Sequence, residues 1–297
     1  MLNHYLPILE QCEPFLIASD DIRAQLNLTP ADVVIPPHNI FHPQHRKNGE
    51  FLRMLALVDR LTFGPFGMDM PSWVFYDCAV MPGAVFGLAT RADKLEPWAR
   101  EAMGVSDDYD GLVPVSQFIA IPILSGFVPG RAVPRTWLLY TLESMNQISP
   151  GIAPYGTLHL TLYLGLQVFP IEELWGTTQW RSPKLETYSD LGPLELVTAY
   201  TPAHSMPRTL SFRLQPRDAH LNAVLASPRA HPGAPPPNAL LDVDDVAALQ
   251  DLQREIEAGF RVLVVGHALT HGTFVRVPLY RARLDPHATL PAGHAAH

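Results

Sequence analysis

Leu158-His-Leu-Thr-Leu-Tyr-Leu-Gly-Leu-Gln-Val168 is the most regular stretch of the chain, and its reading decides the fold. Leu158, Leu160, Leu162, Leu164, Leu166 and Val168 alternate with His159, Thr161, Tyr163, Gly165 and Gln167. A period of two fits a strand with one apolar and one mixed face; on a helix the leucines would be spread over every side. The helix propensity of leucine and the shortage of β-branched residues argue the other way. The alternation predicts a strand over 158–168. Inside a barrel, His159, Thr161, Tyr163 and Gln167 would line a cavity and orient a small polar ligand. If the leucine face is the core, they are merely solvated.

Outward from this stretch, strands are expected at 73–78, 84–89, 112–124 and 137–142 before it, and at 174–180, 194–200 and 209–214 after it. Phe51, Met54, Leu55, Val58 and Leu61 follow the spacing of one helical face, which predicts a helix over 50–61. A short helix is expected over 93–103, ending at Gly104. Another is expected over 243–258, with Asp242 as N-cap and Gly259 as its stop. Residues 260–269 and 274–284 read as a hairpin turning at His271-Gly272. The pattern predicts an α+β fold: a large, mainly antiparallel sheet or half-barrel with a few flanking helices. Residues 1–70 would be a helical or irregular segment packed on a β-rich core at 71–225. A proline-rich loop (226–239), a helix plus hairpin completing the same domain (240–284) and a tail (285–297) would follow.

Composition excludes several classes. The 297 residues are 47% hydrophobic and carry a net charge of -8, with no basic face for a nucleic acid. No run of apolar residues is long enough for a transmembrane helix, and the first residues lack a signal-peptide pattern, so a cytoplasmic location is expected. Cys12 and Cys78 are the only cysteines, which excludes a disulfide framework and a four-cysteine zinc site. Lysine occurs only at 47, 94 and 184, so any lysine nucleophile must be one of those three.

The segment Phe86-Gly-Leu-Ala-Thr-Arg-Ala-Asp-Lys-Leu95 resembles the opening strand and turn of the acetoacetate decarboxylase-like superfamily. The strands at 115–124 and 137–144 are similar to later strands of that family. Ser182-Pro-Lys-Leu-Glu186, followed by Asp190 and 194–199, resembles its "P-K-L … D … G-x-L" stretch. The resemblance implies a small-molecule enzyme of decarboxylase-like ancestry. The family's Schiff-base lysine has no counterpart in 151–168 or 172–180, and Lys184 matches only the later "P-K-L" lysine. Schiff-base chemistry is therefore expected to be lost. The family places a short helix where the alternation here predicts a strand.

His38, His42 and His45 lie close enough in sequence to bind zinc or iron, although Pro36, Pro37 and Pro43 oppose a helix there. His267 and His271 have an even spacing, so on one strand they would share a face. Glu143 ends an apolar strand and could serve as a general base if partly buried. Cys78 would need a neighbouring histidine to act as a nucleophile. No G-x-S-x-G elbow, P-loop or dinucleotide fingerprint is present. The leading expectation is an enzyme acting on a small organic (keto)acid, with Glu143, His159 and Tyr163 as catalytic residues. Arg135, Gln117, Thr161 and Gln167 would bind the ligand. No cofactor is required in that reading. Its rivals are a non-catalytic binding or assembly module and a zinc or iron enzyme built on the three histidines. A small-molecule ligand is the expected partner, with no nucleic acid and no membrane, and a homo-oligomer is left open.

Overall fold

A computed structural model describes residues 5–29, 34–43, 49–68, 70, 83–123, 135–203, 206–216 and 234–283. These form two compact units, one reaching Gly176 and the other starting at Thr177. Together they carry twelve strands, most of them paired antiparallel, with helices at intervals. This is the α+β, sheet-dominated class expected from the sequence.

The first unit contains α1 (Leu6–Gln11), β1 (Cys12–Ala18), α2 (Asp20–Arg23), β2 (Ile40–Phe41), α3 (Gly49–Phe63), β3 (Ala84–Arg91) and α4 (Pro97–Ala102). These are followed by β4 (Leu112–Pro122), β5 (Thr136–Ser144), α5 (Thr157–Val168) and the start of β6 (Glu173–Gln179). Its strand order is β2-β1-β3-β4-β5-β6. β1, β3, β4 and β5 are joined antiparallel; β2 on β1 and β6 on β5 are parallel.

Two helices cover opposite faces of this sheet. Adjacent strand residues point to opposite sides. Ser116 Oγ lies 2.6 Å from Thr161 Oγ1 on α5. Its neighbour Gln117 donates from Nε2 to Leu55 O on α3 at 3.2 Å. Helix α3 forms where its apolar spacing predicts, and Phe51, Met54, Leu55 and Val58 are all buried.

The strand expected over 158–168 is instead α5. Ten of its twelve residues are buried, leaving only His159 and Gln167 partly open. A helix enclosed on almost every side has no polar stripe to keep, so leucine need not follow a helical period. With that period absent, the propensity of leucine and the scarcity of β-branching decide the matter. Gly165 lets the helix sit flush on the sheet, since a Cβ there would lie 2.7 Å from Phe118 Cδ1.

The second unit contains α6 (Pro183–Ser189), β7 (Leu194–Thr198), β8 (Thr209–Leu214), β9 (Ala239–Asp242) and α7 (Val246–Glu257). It ends with β10 (Phe260–Val264), β11 (Leu269–His271) and β12 (Phe274–Arg283). Strand β7 pairs with β8 and β10, and β12 pairs with β10, β9 and β11, all antiparallel. The hairpin turning at Gly272 is the pairing of β11 with β12, and Gly272 has φ +60.

Several boundaries differ from expectation. Residues 93–103 divide into a 3-10 turn, Ala92–Lys94, and α4, with Pro97 in the helix's first turn. Helix α7 begins later than expected because 239–242 is a strand. Its N-cap is Asp245, which accepts from Ala248 N at 3.1 Å, and Asp242 instead accepts from Asp244 N at 3.0 Å. Helix α6 lies where no element was expected, capped by Ser182, which accepts from Lys184 N at 3.2 Å. The strand expected at 73–78 and most of the proline-rich stretch lie outside the described residues.

Candidate functional site: the end of β5 and the start of α5

On the α3 side of the sheet, Phe15, Gly87, Gln117 and Glu143 stand in register across four strands. Gly87 is required there because a Cβ would fall on the Ser116 carbonyl and the Phe15 ring. Gln117 donates to Glu143 Oε1, and neither residue is exposed. Two of the residues proposed from sequence are thus brought together, inside the fold. Thr161 is also fully buried, donating to Thr157 O at 2.8 Å beside Ser116.

Helix geometry separates Thr161 from the rest of the expected mixed face. His159, Tyr163 and Gln167 repeat every four residues along one side of α5, while Thr161 lies on another. The wall of four expected from a strand is therefore reduced to these three, without Thr161. Arg135 is exposed and forms an ion pair with Glu172. His38 is on the surface, 3.9 Å from Glu13 Oε2, His42 is half-buried, and His45 lies outside the described residues. Among the described residues no three side chains are grouped to hold a metal ion. His267 Nε2 lies 2.5 Å from Asp190 Oδ1, whereas His271 is an exposed strand residue. Cys78 lies outside the described residues. Cys12 is buried, and burial pushes its thiol up to about 12, so it is no thiolate at neutral pH.

The sequence reading missed the loop that feeds α5. After β5, Ser144 caps a 3-10 turn, accepting from Asn146 N at 3.3 Å. Ser149 N then donates to Met145 O at 2.7 Å, and Ile152 N to Ser149 O at 3.0 Å. Gly151 lies against Trp98, where a Cβ would be 2.8 Å from the indole, and Gly156 has φ +92 beside Tyr5. Gly156 therefore provides the N-cap of α5 with no side chain to fill the helix end. The first hydrogen bond of the helix returns from Leu160 N to Gly156 O at 3.1 Å. Thr157 N and Oγ1 both donate to Pro154 O, at 3.3 and 2.5 Å, and the amides that follow stand at the positive end of the helix dipole, which favours an anion. The helix crosses over from β5 to the parallel β6, whose pairing covers Thr136–Leu139 with Glu173–Gly176. The carboxyl ends of parallel strands are where open sheets place ligands. The signal was present in Pro150-Gly-Ile-Ala-Pro-Tyr-Gly156: turn residues placed directly before a leucine-rich run.

No family model matches the chain, and no curated protein matches it. Solved structures resemble it at low similarity. An aminoglycoside 6'-acetyltransferase of type Ii gives 16% identity and a TM-score of 0.36, covering 58% of this chain and 94% of that one. An N-acyl amino acid synthase from uncultured soil microbes gives 13% and 0.36, covering 58% and 87%. A candidate acetyltransferase of the GNAT family from Desulfovibrio desulfuricans gives 13% and 0.33, covering 56% and 93%. These proteins are described as acyl-transferring enzymes and not as decarboxylases. The acetoacetate decarboxylase-like resemblance, and the lyase reading taken from it, are corrected accordingly. No helix among the described residues is long and apolar enough to cross a membrane.

Proposed function

We propose that the first unit binds a small, phosphate-bearing donor at the N-terminus of α5 and transfers an acyl group from it. Local geometry supports this. The observation that carries the reading is the crossover itself: after β5, which runs parallel to β6 over Thr136–Leu139, a glycine-containing loop delivers a helix start without a side-chain cap. An acyl group activated as a thioester on a phosphorylated carrier meets both demands of such a site. Its phosphate would take the helix end, and its extended arm would lie along β5. His159, third residue of α5, would stand beside the phosphate as an orienting group. In the reaction, a nucleophilic nitrogen or oxygen of the acceptor bonds to the acyl carbon as the carbon–sulfur bond breaks, and the carrier leaves as a thiol. Incubation of the protein with acetyl coenzyme A and a panel of small amines, monitored for free thiol, tests the reading. Amine-dependent thiol release supports it; a folded protein that neither releases thiol nor binds the thioester removes it.

A further inference from the structure

We propose that a second cleft in the first unit, between Glu13 and Arg91, recognises a small zwitterion of the free α-amino-acid class. The proposal does not rest on the acyl-transfer reading. The cleft is half open to solvent and has a volume of about 330 Å³, within the range of small-molecule sites. Sheet register creates it. Glu13 of β1 lies opposite Ala89 of β3, so Arg91, two residues further on, projects from the same face as a diagonal neighbour.

The two charges do not neutralise one another. Asn39, almost fully buried, donates from Nδ2 to Glu13 Oε2 at 3.0 Å and to Pro14 O at 3.2 Å, which fixes the carboxylate in place. Arg91 is braced elsewhere, from Nε to Asp93 Oδ1 at 3.3 Å and from Nη2 to Asp110 O at 3.3 Å. A fixed anion and a braced cation on one face match a ligand that carries an ammonium and a carboxylate together. The cleft is also lined by Phe41 and Phe51, whose ring centroids are 5.0 Å apart. Tyr109 forms a further wall, held by its hydroxyl donating to Leu112 O at 2.7 Å. An apolar amino-acid side chain would rest on the phenylalanines. An anion alone would leave Glu13 opposed to it, and a simple amine would leave Arg91 unused.

The test is calorimetric titration of the full chain with L-phenylalanine, its methyl ester and its N-acetyl derivative, repeated on Glu13→Gln and Arg91→Gln. L-Phenylalanine is expected to bind best, and each variant to weaken it by about tenfold or more, the scale of one charge-assisted bond. Glu13→Gln, which removes the charge opposed to an anion, should not weaken the N-acetyl compound, and Arg91→Gln should not weaken the ester. Equal affinity for L-phenylalanine and either derivative on the native protein overturns the zwitterion assignment, as does no binding of any of the three at millimolar concentration. The native-protein arm decides even where a variant does not fold.

Discussion

Gln117 on β4 and Glu143 on β5 are cross-strand partners whose side chains hydrogen-bond in the interior of the sheet, beneath α3. The amide also reaches Leu55 O, so one glutamine ties two strands to a helix. Glu143→Ala removes the acceptor from a buried donor and is expected to cost about 1–3 kcal/mol, read as a lower urea midpoint. Glu143→Gln retains an acceptor and should cost less. If Glu143→Gln keeps the midpoint while abolishing turnover, the carboxylate acts in chemistry as well as in the fold.

Gly165 decides how α5 meets the sheet. Alanine normally stabilises a helix interior by about 1 kcal/mol relative to glycine. Here its Cβ would press on the Phe118 ring, with nearest atoms at 2.7 and 3.1 Å. Overpacking of this kind costs about 1–3 kcal/mol, so Gly165→Ala should lower the thermal midpoint. A raised midpoint would contradict the close packing described.

Cys12 should be chemically silent. Its thiol is buried and held near 12 by desolvation, with Lys94 opposing that shift only in part. In a Cys78→Ser background, a thiol reagent at mildly alkaline pH should label nothing until denaturant is added. Rapid labelling of the folded protein would place Cys12 at the surface.

Acid should destabilise the second unit through two carboxylates. Hydrogen bonding to Arg181, aided by the nearby Arg208, holds Asp244 below its ordinary range. Burial pulls Glu195 upward, but Arg213 and Arg261 outweigh it, and its net shift is also downward. A lowered folded-state pKa means that the unfolded chain protonates first on acidification. The contribution is therefore complete above the ordinary carboxylate range and is lost as pH falls through the folded value. Urea midpoints measured from neutral pH downward should fall, and Asp244→Asn combined with Glu195→Gln should flatten that fall. An unchanged slope in the double variant would show that other groups govern acid stability.

Much of the fold could be read from local pattern. Helix α3 keeps an apolar stripe because one side faces solvent, and β8 keeps the limits its alternation predicts. Helix α5 escaped the same logic because burial on nearly all sides removes the polar stripe that reveals a helix. Strand β9 is four residues long, too short to show a period, and its absence from the reading moved the cap of α7 to Asp242. The pairing of Gln117 with Glu143 and the placing of Glu13 and Arg91 on one face depend on strand register between distant segments. No local spacing records that. The proline and glycine residues at 150–156 went unread, because they mean a helix start only once α5 is known to be helical.

The acyl-donor site is tested most directly by titrating acetyl coenzyme A into the native protein and into His159→Glu. A carboxylate in the first turn suits the helix dipole, so the variant should fold, which its unfolding transition checks, yet it would repel a phosphate at the same place. Saturable binding to the native protein, weakened about tenfold or more in the variant, is the predicted result. Equal affinity in both proteins, or no binding by a folded native protein at millimolar ligand, would contradict the assignment of the α5 N-terminus as the donor site.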